Sequence, residues 1–66
     1  MVTQQQADKI AERLYDLKGV IFVSDRAAHA IAEAVGESDI SDSDLFEAAK
    51  NSDFFIDFED GTFSID

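Results

Sequence analysis

The chain is short, free of cysteine and strongly acidic, and each of these properties excludes a class of protein. With 66 residues and no Cys, it has room for one domain over residues 1–66 and cannot form a disulfide framework or a thiolate metal site. Its formal net charge of −10 opposes direct contact with nucleic acid and favours a basic protein partner.

The apolar residues indicate a folded core rather than a membrane segment. They make up 45% of the chain, which is typical of a globular domain and too high for a disordered acidic tail. The longest apolar run, Val20 to Val23, is far shorter than the roughly 20 residues of a membrane span. The N-terminus is rich in Gln rather than basic, so we expect no signal peptide and no membrane contact. The lack of Cys favours a cytoplasmic location.

The first predicted element is an amphipathic helix of about four turns, because apolar residues recur at helical spacing. Thr3 and Gln6 fit a capping box at its start, and Gly19 is predicted to close it. Its apolar residues are Ala7, Ile10, Ala11, Leu14 and Leu17. The segment Val20 to Val23 is β-branched and aromatic, which predicts a short buried strand.

A second helix follows, and either Ser24 or Asp25 can cap its start. Gly36 is predicted to end it in a left-handed conformation. The apolar face of this helix is predicted to consist of Ala27, Ala28, Ile31, Ala34 and Val35.

A third, shorter helix is predicted after a turn-like segment from Glu37 to Asp44. Ser41 or Ser43 opens it, and it ends near Asn51 or Ser52. Its apolar residues are Leu45, Phe46, Ala48 and Ala49.

The last stretch predicts a β-hairpin. Asp60-Gly61 is typical of a type I′ turn, and a two-residue loop there would pair Glu59 with Thr62 and so fix the register of both strands. One face would be apolar, formed by Phe54, Ile56, Phe58, Phe63 and Ile65, and the other would carry Asp57, Glu59, Thr62 and Ser64. Phe55 then falls on the outward face, as an edge contact or an exposed aromatic.

The order of elements is helix, short strand, helix, helix and hairpin, which predicts an α+β domain with three helices. This is also the order of a winged helix, in which the hairpin is the wing. Residues 45–65, LFEAAKNSDFFIDFEDGTFSI, resemble the closing helix and wing of winged-helix domains, including those associated with bacterial RNA polymerase.

The negative charge lies almost entirely in the second half of the chain. Residues 1–36 hold five acids and four bases, a net charge of −1, whereas residues 37–66 hold ten acids against Lys50 alone, a net charge of −9. Winged helices that read DNA carry Lys and Arg on the third helix and wing. The corresponding positions here are Asp42, Asp44, Glu47, Asp57, Glu59 and Asp60. We therefore expect no direct nucleic-acid binding.

Two interpretations of these acids stay open. They could imitate a phosphate backbone and occupy the nucleic-acid cleft of a basic protein, with Phe55 as an aromatic anchor. They could instead be a solvated surface on a domain that binds another protein, and Phe55 and Tyr15 could simply pack at the rim of the core. In size, charge and lack of Cys the chain is similar to phage anti-CRISPR and anti-restriction proteins, and this resemblance implies an inhibitor of a bacterial defence complex such as a CRISPR–Cas effector. The alternative is a regulatory module docked on a larger complex such as a transcription machine.

Catalysis and metal binding are less consistent with the sequence, so we predict a binding protein with no cofactor. His29 is the single histidine, and it falls at the edge of a predicted apolar helix face. The acids before Gly61 do not match a calcium loop, because the required positions hold Ile56 and Phe58. Asp39, Asp42 and Asp44 are close in sequence but also lack that spacing.

Overall fold

A computed structural model describes residues 2–36 and 40–66. Within them the chain forms three helices and three strands. The elements are α1 (Gln4–Tyr15), β1 (Val20–Val23), α2 (Asp25–Val35), α3 (Asp42–Lys50), β2 (Phe55–Asp57) and β3 (Phe63–Ile65). The predicted α+β class, with three helices, a short strand and a C-terminal hairpin, is confirmed.

The three strands form one mixed sheet in the order β1-β3-β2. β2 and β3 are the antiparallel hairpin, and β1 pairs with β3 in parallel. The central strand is therefore β3, the last one in the chain, and its pairing with β1 joins the N-terminal half of the domain to its C-terminal end.

Side-chain caps begin all three helices. Thr3 and Gln6 form the predicted capping box at α1, and Ser24 and Ser41 cap α2 and α3. The predicted α1 was too long: the helix ends at Tyr15, four residues before Gly19. Gly19 instead ends the following turn with a φ of 91°.

The core lies between the helices and the inner face of the sheet. Its buried apolar residues are Ala7, Ile10, Leu14, Val20, Val23, Ala27, Ala28, Ile31, Ala32, Leu45, Ala49 and Ile65. In α2 and β1, two predictions of burial were wrong. Ala34 is exposed, and in β1 only the first and last residues are buried, because an irregularity between Val20 and Phe22 turns Ile21 and Phe22 both outward.

The predicted hairpin register was wrong by one residue. The strands pair Phe55 with Ile65 and Asp57 with Phe63, which gives a three-residue loop instead of the two-residue loop. Phe58 N–H donates to the Thr62 carbonyl, and Gly61 N–H donates to the Phe58 carbonyl. A type I′ turn needs a positive φ at both central residues, and among the described residues only glycines have one.

This shift exchanges the two faces of β2, because successive side chains of a strand point in opposite directions. Phe55 is half-buried beside the core, whereas Ile56 and Phe58 are 43% and 41% exposed. Phe54, which was predicted on the core face, is half-buried and packs against the core. On β3, Ile65 is fully buried as predicted, whereas Ser64 is only 9% exposed instead of facing solvent freely.

The connection between α2 and α3 is described only in part. The turn predicted for residues 37–44 includes Glu37, Ser38 and Asp39, which lie outside the described residues. Gly36 ends α2 as predicted, but its φ of 72° and ψ of −160° do not make the left-handed helical conformation.

Candidate protein-binding surface

Six of the seven predicted site residues are acids, and all six are exposed in the structure. Asp42, Asp44 and Glu47 lie on α3, Asp57 is the last residue of β2, and Glu59 and Asp60 lie in the hairpin loop. We call this set the α3–hairpin acids.

The acids at the start of α3 also have structural roles. Asp42 and Asp44 lie in the first turn, where negative charge stabilises the helix dipole. Asp42 accepts a hydrogen bond of 2.9 Å from Arg13, which also donates to the Ile40 carbonyl and so joins α1 to the start of α3. Asp42 is therefore partly neutralised. Among the described residues, no other member of the α3–hairpin acids forms an ion pair.

The hairpin loop holds one of its acids in a fixed position. The Asp60 carboxylate accepts hydrogen bonds from the Thr62 hydroxyl and the Thr62 N–H, and these bonds, the hydroxyl first, lower the pKa of Asp60 below its usual value. Asp60 therefore stays ionised at neutral pH, and its carboxylate is held beside Thr62, the residue before β3.

A cluster of three aromatic rings joins α3 to the hairpin. Phe46 of α3 lies 6.0 Å from Phe55 and 5.5 Å from Phe63, and these two strand residues lie 5.0 Å apart. Asp57 pairs with Phe63 and shares its face of the sheet, so it lies on the α3 side of the hairpin. The ammonium group of Lys50 lies over Phe46, 5.9 Å from its centre, which places one positive charge beside this cluster.

The prediction that Phe55 lies on the outward face of the hairpin was wrong. Phe55 does not face outward, because the register puts it on the inner face against Phe46 and Phe63. It packs against these two rings and helps to hold the hairpin against α3.

A second surface, which the sequence pattern did not predict, lies on the outer face of the sheet. Phe22, Ser64 and Ile56 lie side by side across β1, β3 and β2, and Phe22 is 47% exposed. Ile21 and Phe58 extend this apolar row on the edge strands. If the inward residues of β2 are counted from Phe55 instead of Phe54, Ile56 and Phe58 fall on the outer face. The Asp60-Gly61 pair instead favours the two-residue loop, which puts Phe54, Ile56 and Phe58 on the inner face.

The other residues considered as sites are accounted for by local contacts. His29 lies 3.0 Å from the Gln4 side-chain oxygen and joins α2 to the start of α1. A depression of about 290 Å³ between α2, α3 and Phe54 is lined by three alanines among eight residues, with Asp53 as its single charged residue. Across residues 2–36 and 40–66, no three His, Asp or Glu side chains gather as a metal site, and Asp39 lies outside that part of the chain.

In the part of the chain that the structure describes, no helix has the length and apolar composition needed to span a bilayer. Comparison with known proteins finds no matching family model, no matching curated protein and no matching solved structure.

Proposed function

We propose that the protein is a non-enzymatic inhibitor that binds a basic, nucleic-acid-binding protein and holds acids where that protein would bind phosphates. The observation that carries the proposal is the exposure of all six α3–hairpin acids on two elements that the Phe46–Phe55–Phe63 cluster fastens together. A bacterial CRISPR–Cas effector is a partner of the right kind, since it holds nucleic acid in a positively charged channel.

The charges of this surface favour binding through long-range attraction. Five of the six acids have no basic partner in the described residues, so their charge is available to a cationic cleft. Opposite charges accelerate association and make affinity fall steeply with salt. Arg13 neutralises part of the charge of Asp42, and the carboxylate of Asp60 already accepts two hydrogen bonds from Thr62. We therefore assign the main contribution to Asp44, Glu47, Asp57 and Glu59.

The experiment uses two variants with equal net charge. The test variant carries Asp44→Asn, Glu47→Gln, Asp57→Asn and Glu59→Gln, and the control variant carries Asp8→Asn, Glu12→Gln, Asp16→Asn and Glu33→Gln on α1, α2 and the turn after α1. Each is immobilised and exposed to bacterial lysate, and retained proteins are eluted first with duplex DNA and then with salt. We expect the wild type and control to retain a nucleic-acid-binding protein that DNA releases, and the test variant to lose it.

A second candidate function is a protein-interaction module within a larger complex such as a transcription machine. The exposed apolar side chains of the sheet favour it, because a patch of large apolar residues within a charged surface is typical of protein-binding sites. In this case the control and test variants retain the same partner, DNA does not release it, and Phe22→Ser removes it.

A further inference from the structure

The outer face of the sheet forms a shallow trough. Phe22 and Ile56 are both paired with Ser64, so a small side chain lies between two large ones. Neighbouring strands are about 4.8 Å apart, which places the backbones of β1 and β2 about 10 Å from each other. Ser64 between them is only 9% exposed, so the two large side chains largely cover it and a partner would lie on the trough rather than sink into it.

The trough is apolar along its walls and acidic at its two ends. Ile21 extends one wall and Phe58 the other, and both are more than 40% exposed. Along β3, alternate residues share a face, so Thr62 and Asp66 continue the face of Ser64. The carboxylate of Asp60 is bonded to Thr62 at one end, and Asp66, whose N–H donates to the Phe54 carbonyl, is exposed at the other.

We propose that this trough binds an amphipathic helix of a partner protein, with its apolar face on Phe22 and Ile56 and with Lys or Arg near both ends. This inference deepens the second proposed function, and it holds whether or not the α3–hairpin acids imitate DNA. The charge pattern selects the occupant: a basic helix complements Asp60 and Asp66. A second copy of this chain would instead bring together two molecules of formal charge −10.

Nuclear magnetic resonance of the ¹⁵N-labelled chain tests the proposal with designed peptides. The probe is an amphipathic Leu/Lys helix of about 18 residues, and its control is a scrambled peptide of the same composition. We expect saturable shifts of the Phe22, Ile56 and Ser64 amides, and an affinity about tenfold above that of the scrambled peptide. Equal affinity for both peptides would overturn the proposal, as would shifts confined to α3 or no binding at all.

Three variants locate the binding. Ser64→Val fills the trough floor, and Ile56→Ser removes one wall that lies outside the core, so each should weaken the amphipathic peptide about tenfold. A circular dichroism spectrum that matches the wild type verifies that each variant is folded. Asp44→Asn with Glu47→Gln should leave that affinity unchanged. If the α3 variant alone loses the peptide, the acids and not the trough are the site, which overturns this inference while supporting the first proposed function.

A second copy of this chain is the alternative occupant of the trough. Shifts of the trough amides that depend on protein concentration without any peptide, together with a dimer in sedimentation, would show that a second copy covers this face and would overturn the proposal. We expect the chain to sediment as one species across that concentration range.

Discussion

The hydroxyl of Tyr15 hydrogen-bonds to both backbone groups of Val23. It accepts from the Val23 N–H at 3.2 Å and donates to the Val23 carbonyl at 3.4 Å. β1 is an edge strand, and exposed edges are sites where another chain can pair. Tyr15 therefore ties the end of α1 to β1 and blocks part of that edge, which gives this half-exposed aromatic a structural role.

Removing this hydroxyl tests its contribution to the fold. Tyr15→Phe keeps the ring but leaves the Val23 N–H and carbonyl without their partner, and Val23 is only 6% exposed. We expect the free energy of unfolding to fall by about 1 kcal/mol, measured by urea denaturation. An unchanged midpoint would mean that water replaces the hydroxyl without cost.

A pair of neighbouring substitutions tests the hairpin register. Phe55→Ala removes a ring from the cluster with Phe46 and Phe63 and should cost about 2 kcal/mol, whereas Ile56→Ala on the outer face should cost less than about 1 kcal/mol. Both are truncations within the same strand, so each controls for the other in chemical denaturation. The reverse order would support the register that a two-residue loop predicts.

Two glycines with positive φ differ in their surroundings and therefore in their tolerance of a side chain. A Cβ at Gly19 would lie 2.9 Å from the Gly61 carbonyl oxygen and 3.0 Å from the Phe63 ring, whereas a Cβ at Gly61 meets nothing within 4 Å. Gly61→Ala should cost about 1 kcal/mol from backbone strain alone. Gly19→Ala adds a clash with backbone and should cost about 2 to 4 kcal/mol, and equal losses in thermal unfolding would contradict the close approach.

The pKa of Asp60 tests the geometry of the loop. Because the bonds from Thr62 lower this pKa in the folded state, they contribute stability above the usual aspartate pKa, and that contribution is lost as pH falls through the folded value. Thr62→Val removes the hydroxyl and should raise the pKa of Asp60, while Thr62→Ser keeps the donor and should preserve it. Carboxyl resonances followed through an acid titration measure both. An Asp60 pKa that is the same in Thr62→Val and wild type would exclude the bond.

The elements of this fold are largely predictable because their signals are local. Thr3 with Gln6, and the serines at 24 and 41, fix where helices begin, and each side chain caps backbone groups within three residues. The parallel pairing of β1 with β3 is not local: it brings Val20 beside Phe63 across most of the chain. Nothing near Val20 in the sequence indicates that partner.

The residues that form each candidate surface depend on a shift of one residue in the pairing of β2 with β3. Asp60-Gly61 fits two loop lengths, and the packing of Phe55 against α3 selects the longer one. With the longer loop, Phe55 faces inward and Ile56 faces outward. The two-residue loop predicted from the sequence therefore put the aromatic anchor on the wrong face and gave no indication of the apolar trough. The exposed acids were less sensitive to register, because charged residues on α3 and in a loop tip face solvent in either register.

The central claim is that the α3–hairpin acids bind a protein in place of DNA. The most direct measurement is the affinity of a captured partner for the wild type, for the variant neutralised at Asp44, Glu47, Asp57 and Glu59, and for the charge-matched control, each with and without competing duplex DNA. The account predicts that the test variant binds at least about tenfold more weakly than the control and that DNA displaces the wild type. Equal affinities for the two variants, or binding that DNA leaves untouched, would contradict it.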